Sequence, residues 1–528
     1  MVETALEMFR VRAERDPAYP FLYTADGVGR PYALLAEHVD ALAGTLRAHG
    51  AAPGDVVGVY LWNDPAWVVA VLAAWSCGCA FAACGALSPP AEAERRFALV
   101  RPRAVVVPTG AALEGGWPLI EVDAEGVAGS EVDAEGDAGP EGVARAAGGA
   151  DLPGVVPGAD DTAAIFFTSG TTAEPKAIVH THRRLVEGAR TTASAYARDA
   201  GFRPRTAPGD RPPSISFNPF GHMAALGRVI FRMYVGRAIL LVPKFDVRVM
   251  RDLAARYPLD TLQLTPAMVH ALAYTDEDIS LGSLKYVTSG TAPLPMATRE
   301  EFERRYGVPV LQAYGSTEGG ITALERYDDA LAGRRGPGSV GRVPEGCPLR
   351  IVGPDGRDVA PGDEGEILGR PDPSRAGRYL TEDGTEPLPV DADGWYHTGD
   401  VGRVDEHGIL YVTGRLKEML IVGGFNVFPA EVEDALRQSE LVRDAVVVPV
   451  PDDRLGEVPI AGVVWSGKGP VTVDARLAEL TAEARRLLAP YKVPRQWFTL
   501  EEVPLTANGK LDRRRAAELG AVALHGAP

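Results

Sequence analysis

AAIFFTSGTTAEPK, residues 163–176, is the stretch on which the fold turns. Ala163 to Phe167 carry no charge and read as a buried strand, and a helical pattern opens near His182. A strand, a loop of small residues and then a helix is the repeating unit of α/β architecture. Between them, Thr168, Ser169, Gly170, Thr171 and Thr172 can turn backbone N–H groups and hydroxyls toward an anion, and Lys176 supplies a point charge. The Gly-Lys-Ser/Thr ending of a Walker loop is missing. Taken alone, the segment is equally readable as a polar turn.

On both sides the same alternation continues. VVGVYL, WVVAVLAAW and AVVVP precede the loop and interleave with YALLAEHVDALAGTLRAHG, while AILLVP, TLQLTP and YVTSGT follow it. This predicts an α/β fold with parallel-rich sheets. From about 337 to 414 short strands and Gly-Asp or Asp-Gly turns predict a smaller, barrel-like antiparallel part. DAVVVPVPD and ARLAELTAEARRLL then suggest a small α+β unit. The expected division is a large N-terminal domain over 1–414 and a small mobile domain over 415–528. Within the first, 119–158 is expected to be an acidic, Gly/Ala-rich surface insertion, because EVDAEGVAGS is followed by the near-copy EVDAEGDAGP.

Bulk properties narrow the function. The 528 residues, 46% hydrophobic and 24% charged, suit a compact protein of more than one domain. A formal charge of −17 argues against a nucleic-acid partner, which would require clustered Lys and Arg. MVETALEMFRVRAERDP has charges inside its apolar pattern, so it reads as an amphipathic helix and the expected location is cytoplasmic. Trp67 to Leu87 is uncharged for about twenty residues, long enough in principle to span a membrane. Gly78 and Gly85 break it, so a buried helix followed by a buried strand is the better reading, with no stable membrane insertion. Cys77, Cys79 and Cys84 lie in that stretch and read as packing residues, because their spacing matches no zinc site.

Four further segments carry chemistry. YGSTE, Tyr314 to Glu318, ends an apolar run and offers a flat ring, the Thr317 hydroxyl and, in Glu318, a hard oxygen ligand for magnesium. YHTGD ends in Asp400, a carboxylate able to accept two ribose hydroxyls. GRLKEMLIVGGFNVFPAEVE brings Arg415 and Lys417 before the Gly423–Gly424 turn. In PLTANGKLDR, Lys510 follows the tight-turn signal Asn-Gly and stands on a loop tip.

In order and spacing, these five segments resemble the ANL superfamily of adenylate-forming enzymes, in its acyl-CoA synthetase branch. The resemblance covers almost the whole chain. It implies ATP-dependent conversion of a carboxylic acid to an acyl-AMP, then transfer to coenzyme A, with Mg2+ and CoA as the other small-molecule requirements. By motif, TSGTTAEPK would hold the β- and γ-phosphates. Ser289, Gly290, Thr291, Ala292 and Pro293, with Gln312, Ala313 and Tyr314, would hold adenine, and Gly315, Ser316 and Thr317 would complete the nucleotide site. Glu318 would carry magnesium, while Asp400 and Arg415 would bind the ribose. Lys510 would reach the acyl carboxylate and α-phosphate, Lys417 would lie at the hinge, and Gly423 and Gly424 would meet the pantetheine arm after domain rotation. Ala173 and Ala177 stand where the family usually has glycine, which would strain the loop by about 1–3 kcal/mol if either needed a positive φ.

The resemblance also places SISFNPFGHM at the acyl pocket. His222 matches a histidine common in acyl-CoA synthetases, and Asn218 stands near the aspartate of amino-acid-activating relatives, which disfavours an amino acid. With Asn218, the candidate lining is Gly221, Met223, Leu226, Gly290, Ala292, Gly319, Gly320 and Ile321, which are small or apolar and suggest a bulky hydrophobic acid of long-chain, aryl or polycyclic type. A separate CoA is the expected acceptor. The alternatives are a free-standing enzyme passing acyl-AMP to a carrier protein or companion enzyme, and a catalytically impaired nucleotide-binding relative. A homodimer is also left open.

Overall fold

The computed structural model describes residues 2–128, 155–168, 176–197, 212–316, 318, 320–344, 346–370, 376–381, 384–467, 472–506 and 511–525. An eight-stranded sheet forms the first layer, with Ala80–Gly85 and Val56–Leu61 at its centre and parallel to each other. The uncharged stretch resolves as expected into the helix Pro65–Ser76, buried at every residue, and the strand Ala80–Gly85, buried likewise. Among the described residues no helix is long and apolar enough to cross a membrane. Trp67, Trp75 and Phe81 fill the space between this helix and the sheet, and Cys77, Cys79 and Cys84 are buried free thiols. Burial pushes the Cys84 thiol up to about 12, so it stays protonated and packs as a small apolar group.

The insertion expected at 119–158 begins later than its composition suggests. Leu119–Val122 is the edge strand of the sheet and pairs in parallel with Ala104–Pro108. The first decapeptide copy is also docked. Ala66 N donates to Ala124 O at 3.1 Å, and Arg30 Nε donates to Glu125 at 2.8 Å. Gly126 approaches the helix so closely that a Cβ there would lie 2.8 Å from Val69. Acid and glycine are therefore the docking chemistry of this copy. The second copy, residues 131–140, lies outside the described residues.

A nine-stranded sheet forms the second layer. Thr261–Leu264, Tyr286–Ser289 and Val310–Ser316 are parallel, and six antiparallel strands follow, including Ile409–Arg415 and Tyr396–Val404. Tyr314 lies on a strand four positions from that of Asp400, about 19 Å away in a flat sheet at ordinary strand spacing. Their side chains nevertheless touch, Tyr314 OH donating to Asp400 Oδ2 at 2.5 Å. The sheet must coil to allow this, which gives the antiparallel part its barrel-like form.

After Arg415 the chain makes a 3-10 turn, Leu416–Glu418, and enters a separate five-stranded sheet built on Val442–Asp452 and Gly456–Trp465. Its core is its own, gathering Val432, Leu436, Val447, Ala461 and Leu480. The helix Pro429–Arg437 packs against the N-terminal helix Met296–Tyr306. At this junction His270 is held below its ordinary value mainly by burial, with Arg437 and Arg443 adding to the effect and Asp444 opposing it.

Candidate active site

Strand ends and one strand register assemble the site. Asp400 and Arg415 are fifteen positions apart but are direct partners in the antiparallel pair Tyr396–Val404 and Ile409–Arg415. Arg415 Nε donates to Asp400 Oδ1 at 2.7 Å, leaving Oδ2 for Tyr314. The carboxylate is buried while the guanidinium is more than half exposed. Burial, reinforced by the Asp400 charge, pushes the Tyr314 phenol above its usual value, so it remains a donor. The ring, carboxylate and guanidinium together present a planar face beside hydrogen-bonding groups, which suits a nucleoside.

The loop expected to hold adenine leaves the strand Tyr286–Ser289. Thr291 adopts φ 75°, one of two described non-glycine residues in the left-handed region. Such a conformation costs about 1–3 kcal/mol and persists only where surrounding structure enforces it. Gln312 supplies part of that enforcement. Its Nε2 donates to Ser339 O at 2.8 Å and its Oε1 accepts from Leu294 N at 3.3 Å. With both ends of its amide engaged, Gln312 braces the loop expected to hold adenine. Gly290 likewise serves packing, because a Cβ would lie 3.1 Å from Ala313 O.

The phosphate side is built from both sheets. Thr162–Thr168 and Lys176–Thr181 are antiparallel neighbours that bracket residues 169–175, so Ser169, Gly170, Thr171, Thr172 and Ala173 lie outside the described residues. Ala177 pairs with Phe167 inside this ladder and has no positive φ. The strain considered for Ala177 is therefore absent. Glu318 O accepts from Gly377 N at 2.9 Å, which ties the YGSTE loop to the first sheet. The Glu318 charge reaches three groups. It raises the Tyr379 and Tyr396 phenols, though less than burial does, and it opposes the burial that lowers Arg184 to about 10. Tyr379 and Arg184 carry no motif signal; strand pairing brings Tyr379 here, and Arg184 arrives on the first turn of the helix His182–Ala197. Thr317, Gly319 and Lys510 lie outside the described residues, as do the side chains of Thr168, Gly320 and Ile321.

A magnesium ion fits this donor set in one way. Among the described residues no group of three or more His, Cys, Asp or Glu side chains could cage a metal. The hard Glu318 carboxylate would thus share the ion with phosphate oxygens, as magnesium usually binds. Glu318→Gln is expected to lower acyl-AMP formation about tenfold and to raise the magnesium concentration needed for half-maximal rate, a change of about 1.4 kcal/mol. A magnesium titration of pyrophosphate release checks this, and an unchanged midpoint removes Glu318 from the metal site.

On the acyl side, Asn63 Oδ1 accepts from Phe220 N at 2.9 Å and its Nδ2 donates to Phe217 O at 3.4 Å. Phe220 stacks on Trp67 with centroids 4.2 Å apart. Asn218 is buried, and its Nδ2 has no hydrogen-bond partner among the described residues. His222 caps the helix Met223–Val235 and is half-buried. Gly221 gives no pocket room of the kind expected from its size, because its Cβ would lie 3.0 Å from Gly85 N. Leu226 belongs to the main core.

In the C-terminal unit Gly423 and Gly424 both have positive φ, 57° and 89°, at the turn joining Leu420–Val422 to Phe425–Val427. A Cβ on Gly424 would meet open space. Lys417 sits in the 3-10 turn leading there. The adjacent Glu418 is held at 3.0 Å by Arg513 Nε, which fastens the connection to the small unit.

Coiled sheet, nucleoside face and braced loop define an adenylate-forming enzyme. The chain matches the AMP-binding enzyme family over residues 9–379 and the AMP-binding enzyme C-terminal domain over 431–510, and it belongs to this family, the ANL superfamily. It is similar to an indoleacetate–CoA ligase of Aromatoleum aromaticum, 34% identical over 359 residues, which are 67% of this chain and 66% of that protein. A sulfoacetate–CoA ligase of Cupriavidus necator is 29% identical over 520 residues, 97% of each chain. Among solved structures, o-succinylbenzoate CoA synthetase of Bacillus subtilis with its acyl-adenylate superposes with a TM-score of 0.78 at 25% identity, covering 96% of this chain and 97% of that one. Within the family the chain is an AMP-forming acid–thiol ligase that uses ATP, magnesium and CoA.

Proposed function

We propose that this ligase activates a bulky, hydrophobic carboxylic acid and transfers it to CoA. The carrying observation is the apolar setting of the Phe217–Met223 segment. Its two phenyl rings are buried in separate cores, and within the segment only the Asn218 amide and the half-buried His222 ring are polar side chains. Such a surface selects by shape, with few polar contacts fixing orientation. Relatives named for indoleacetate, 4-coumarate and long-chain fatty acids support this reading. Sulfoacetate, named for another relative, is the polar counterexample.

In the proposed reaction an oxygen of the acid attacks the α-phosphorus and the bond to the pyrophosphate oxygen breaks. Two anions must approach each other, so Lys176 and Lys510 offset the charge, Glu318 would hold a magnesium ion that adds to this, and positioning supplies much of the remaining acceleration. The small unit then turns about Lys417, Lys510 leaves, and the Gly423–Gly424 turn lines the path of the pantetheine. The CoA sulfur attacks the acyl carbon, the thiol proton is released, and AMP departs.

A panel of indoleacetate, 4-coumarate, a long-chain fatty acid and sulfoacetate tests the proposal, with pyrophosphate, acyl-AMP and acyl-CoA all measured. One of the apolar acids is expected to exceed sulfoacetate at least about tenfold in kcat/KM, the value of one or two buried methylenes. Preference for sulfoacetate overturns the hydrophobic pocket. Acyl-AMP without thioester transfers the second step to a carrier protein or companion enzyme.

A further inference from the structure

Lys176 opens the strand Lys176–Thr181, whose outer neighbour is Arg378–Thr381, with Tyr379 directly opposite Ile178. Lys176 and Ile178 share a face of their strand, so Tyr379 is the diagonal cross-strand neighbour of the lysine. The Lys176 Nζ lies 5.0 Å from the centre of the Tyr379 ring. That is cation–π distance.

The ring is itself held in place. Two residues earlier, Gly377 N donates to Glu318 O at 2.9 Å. A Cβ on Gly377 would lie 2.6 Å from the Ile178 side chain, which fills the space that a larger residue at 377 would need. On the other side the Tyr379 phenol interacts with that of Tyr396, four residues before Asp400. One half-buried ring thus links the lysine of the phosphate loop, the strand of the ribose carboxylate and the backbone of the proposed metal ligand.

We infer that Tyr379 is the positioning residue of Lys176, its ring holding the ammonium where the nucleotide phosphates arrive. This rests on reading Lys176 as the phosphate lysine. A lysine on a four-carbon stem otherwise samples many rotamers, and confining it beforehand lowers the entropy lost when ATP binds. The lysine is exposed, so the gain lies toward the modest end for cation–π contacts, about two- to fivefold in affinity.

The test is ATP binding by titration calorimetry, together with pyrophosphate exchange on the acid chosen by the panel. Tyr379→Leu, or Tyr379→Ile if the first fails to fold, is expected to raise KM for ATP about two- to fivefold. KM for the acid and kcat should change little. Tyr379→Phe keeps the ring and is expected to restore ATP affinity to within about twofold of the parent. In a Lys176→Ala background, Tyr379→Leu should have no further effect on ATP binding. Equal losses in Tyr379→Phe and Tyr379→Leu, or a Tyr379→Leu penalty that persists without the lysine, overturn the inference. If Lys176→Ala itself leaves ATP affinity unchanged, the phosphate-lysine reading fails first, and the two failures are distinguishable.

Discussion

Lys510→Ala is expected to lower acyl-AMP formation by at least about a hundredfold, because removing one preorganised donor from a charged transition state costs about 3–4 kcal/mol. The neighbouring chain shows how such a lysine would be presented. Leu505 and Leu511 form an antiparallel bridge, and Asp512 N donates to Pro504 O at 2.8 Å. Beyond them Arg513 pairs with Glu418 and donates to Val447 O at 3.0 Å, so the base of the loop is fixed to the small unit. A lysine serving only as a solvated turn residue would change stability by less than about 0.5 kcal/mol and leave the rate untouched. The variant should therefore melt with the parent while losing adenylation. Given synthetic acyl-AMP and CoA, it should still make thioester at a near-parental rate. Adenylation within a few-fold of the parent would remove Lys510 from the mechanism, and the two-conformation cycle with it.

Asp400→Asn is expected to weaken ATP binding by about a hundredfold, since two hydrogen bonds to a charged acceptor contribute about 1.5 kcal/mol each at the low end. The carboxylate already accepts from Tyr314 OH and Arg415 Nε. Two oxygens offer roughly four acceptor positions, so the ribose hydroxyls can bind without displacing either partner. Asparagine keeps the shape and one acceptor for Tyr314 but loses the charge facing Arg415. The stability cost should be small, because Arg415 is more than half exposed and solvent screens the pair. KM for ATP should rise steeply while KM for the acid stays within about threefold. Equal increases in both would point to collapse of the coiled sheet, and no increase would remove the ribose assignment.

Much of the fold was legible because hydrophobic burial writes itself into local pattern. The uncharged run from Trp67 needed a wholly buried helix and strand, and only a doubly covered sheet provides that. The candidate phosphate loop, the YGSTE loop and Asp400 stood out as candidates for a different reason: each lies in a short contiguous segment whose residue types suit one ligand group. Composition misled where a residue's partner is remote. Gly221 and Gly290 read as open pocket space, yet their missing side chains are replaced by the backbone at Gly85 and Ala313. The first acidic repeat read as solvated, yet it docks on the helix carrying Val69. Gln312 read as a ligand contact, and its bracing of the loop through Ser339 and Leu294 carried no sequence signal.

The sequence by itself determined the layered architecture, the family and the chemistry available, since these depend on periodicity and on motifs a few residues long. Tertiary structure alone decided which groups meet. Tyr314 reaches Asp400 only because the sheet between them coils, and Tyr379 reaches Lys176 only because their strands pair in one register out of several. Register and sheet coiling arise from packing summed over many strands, so no local segment encodes these contacts.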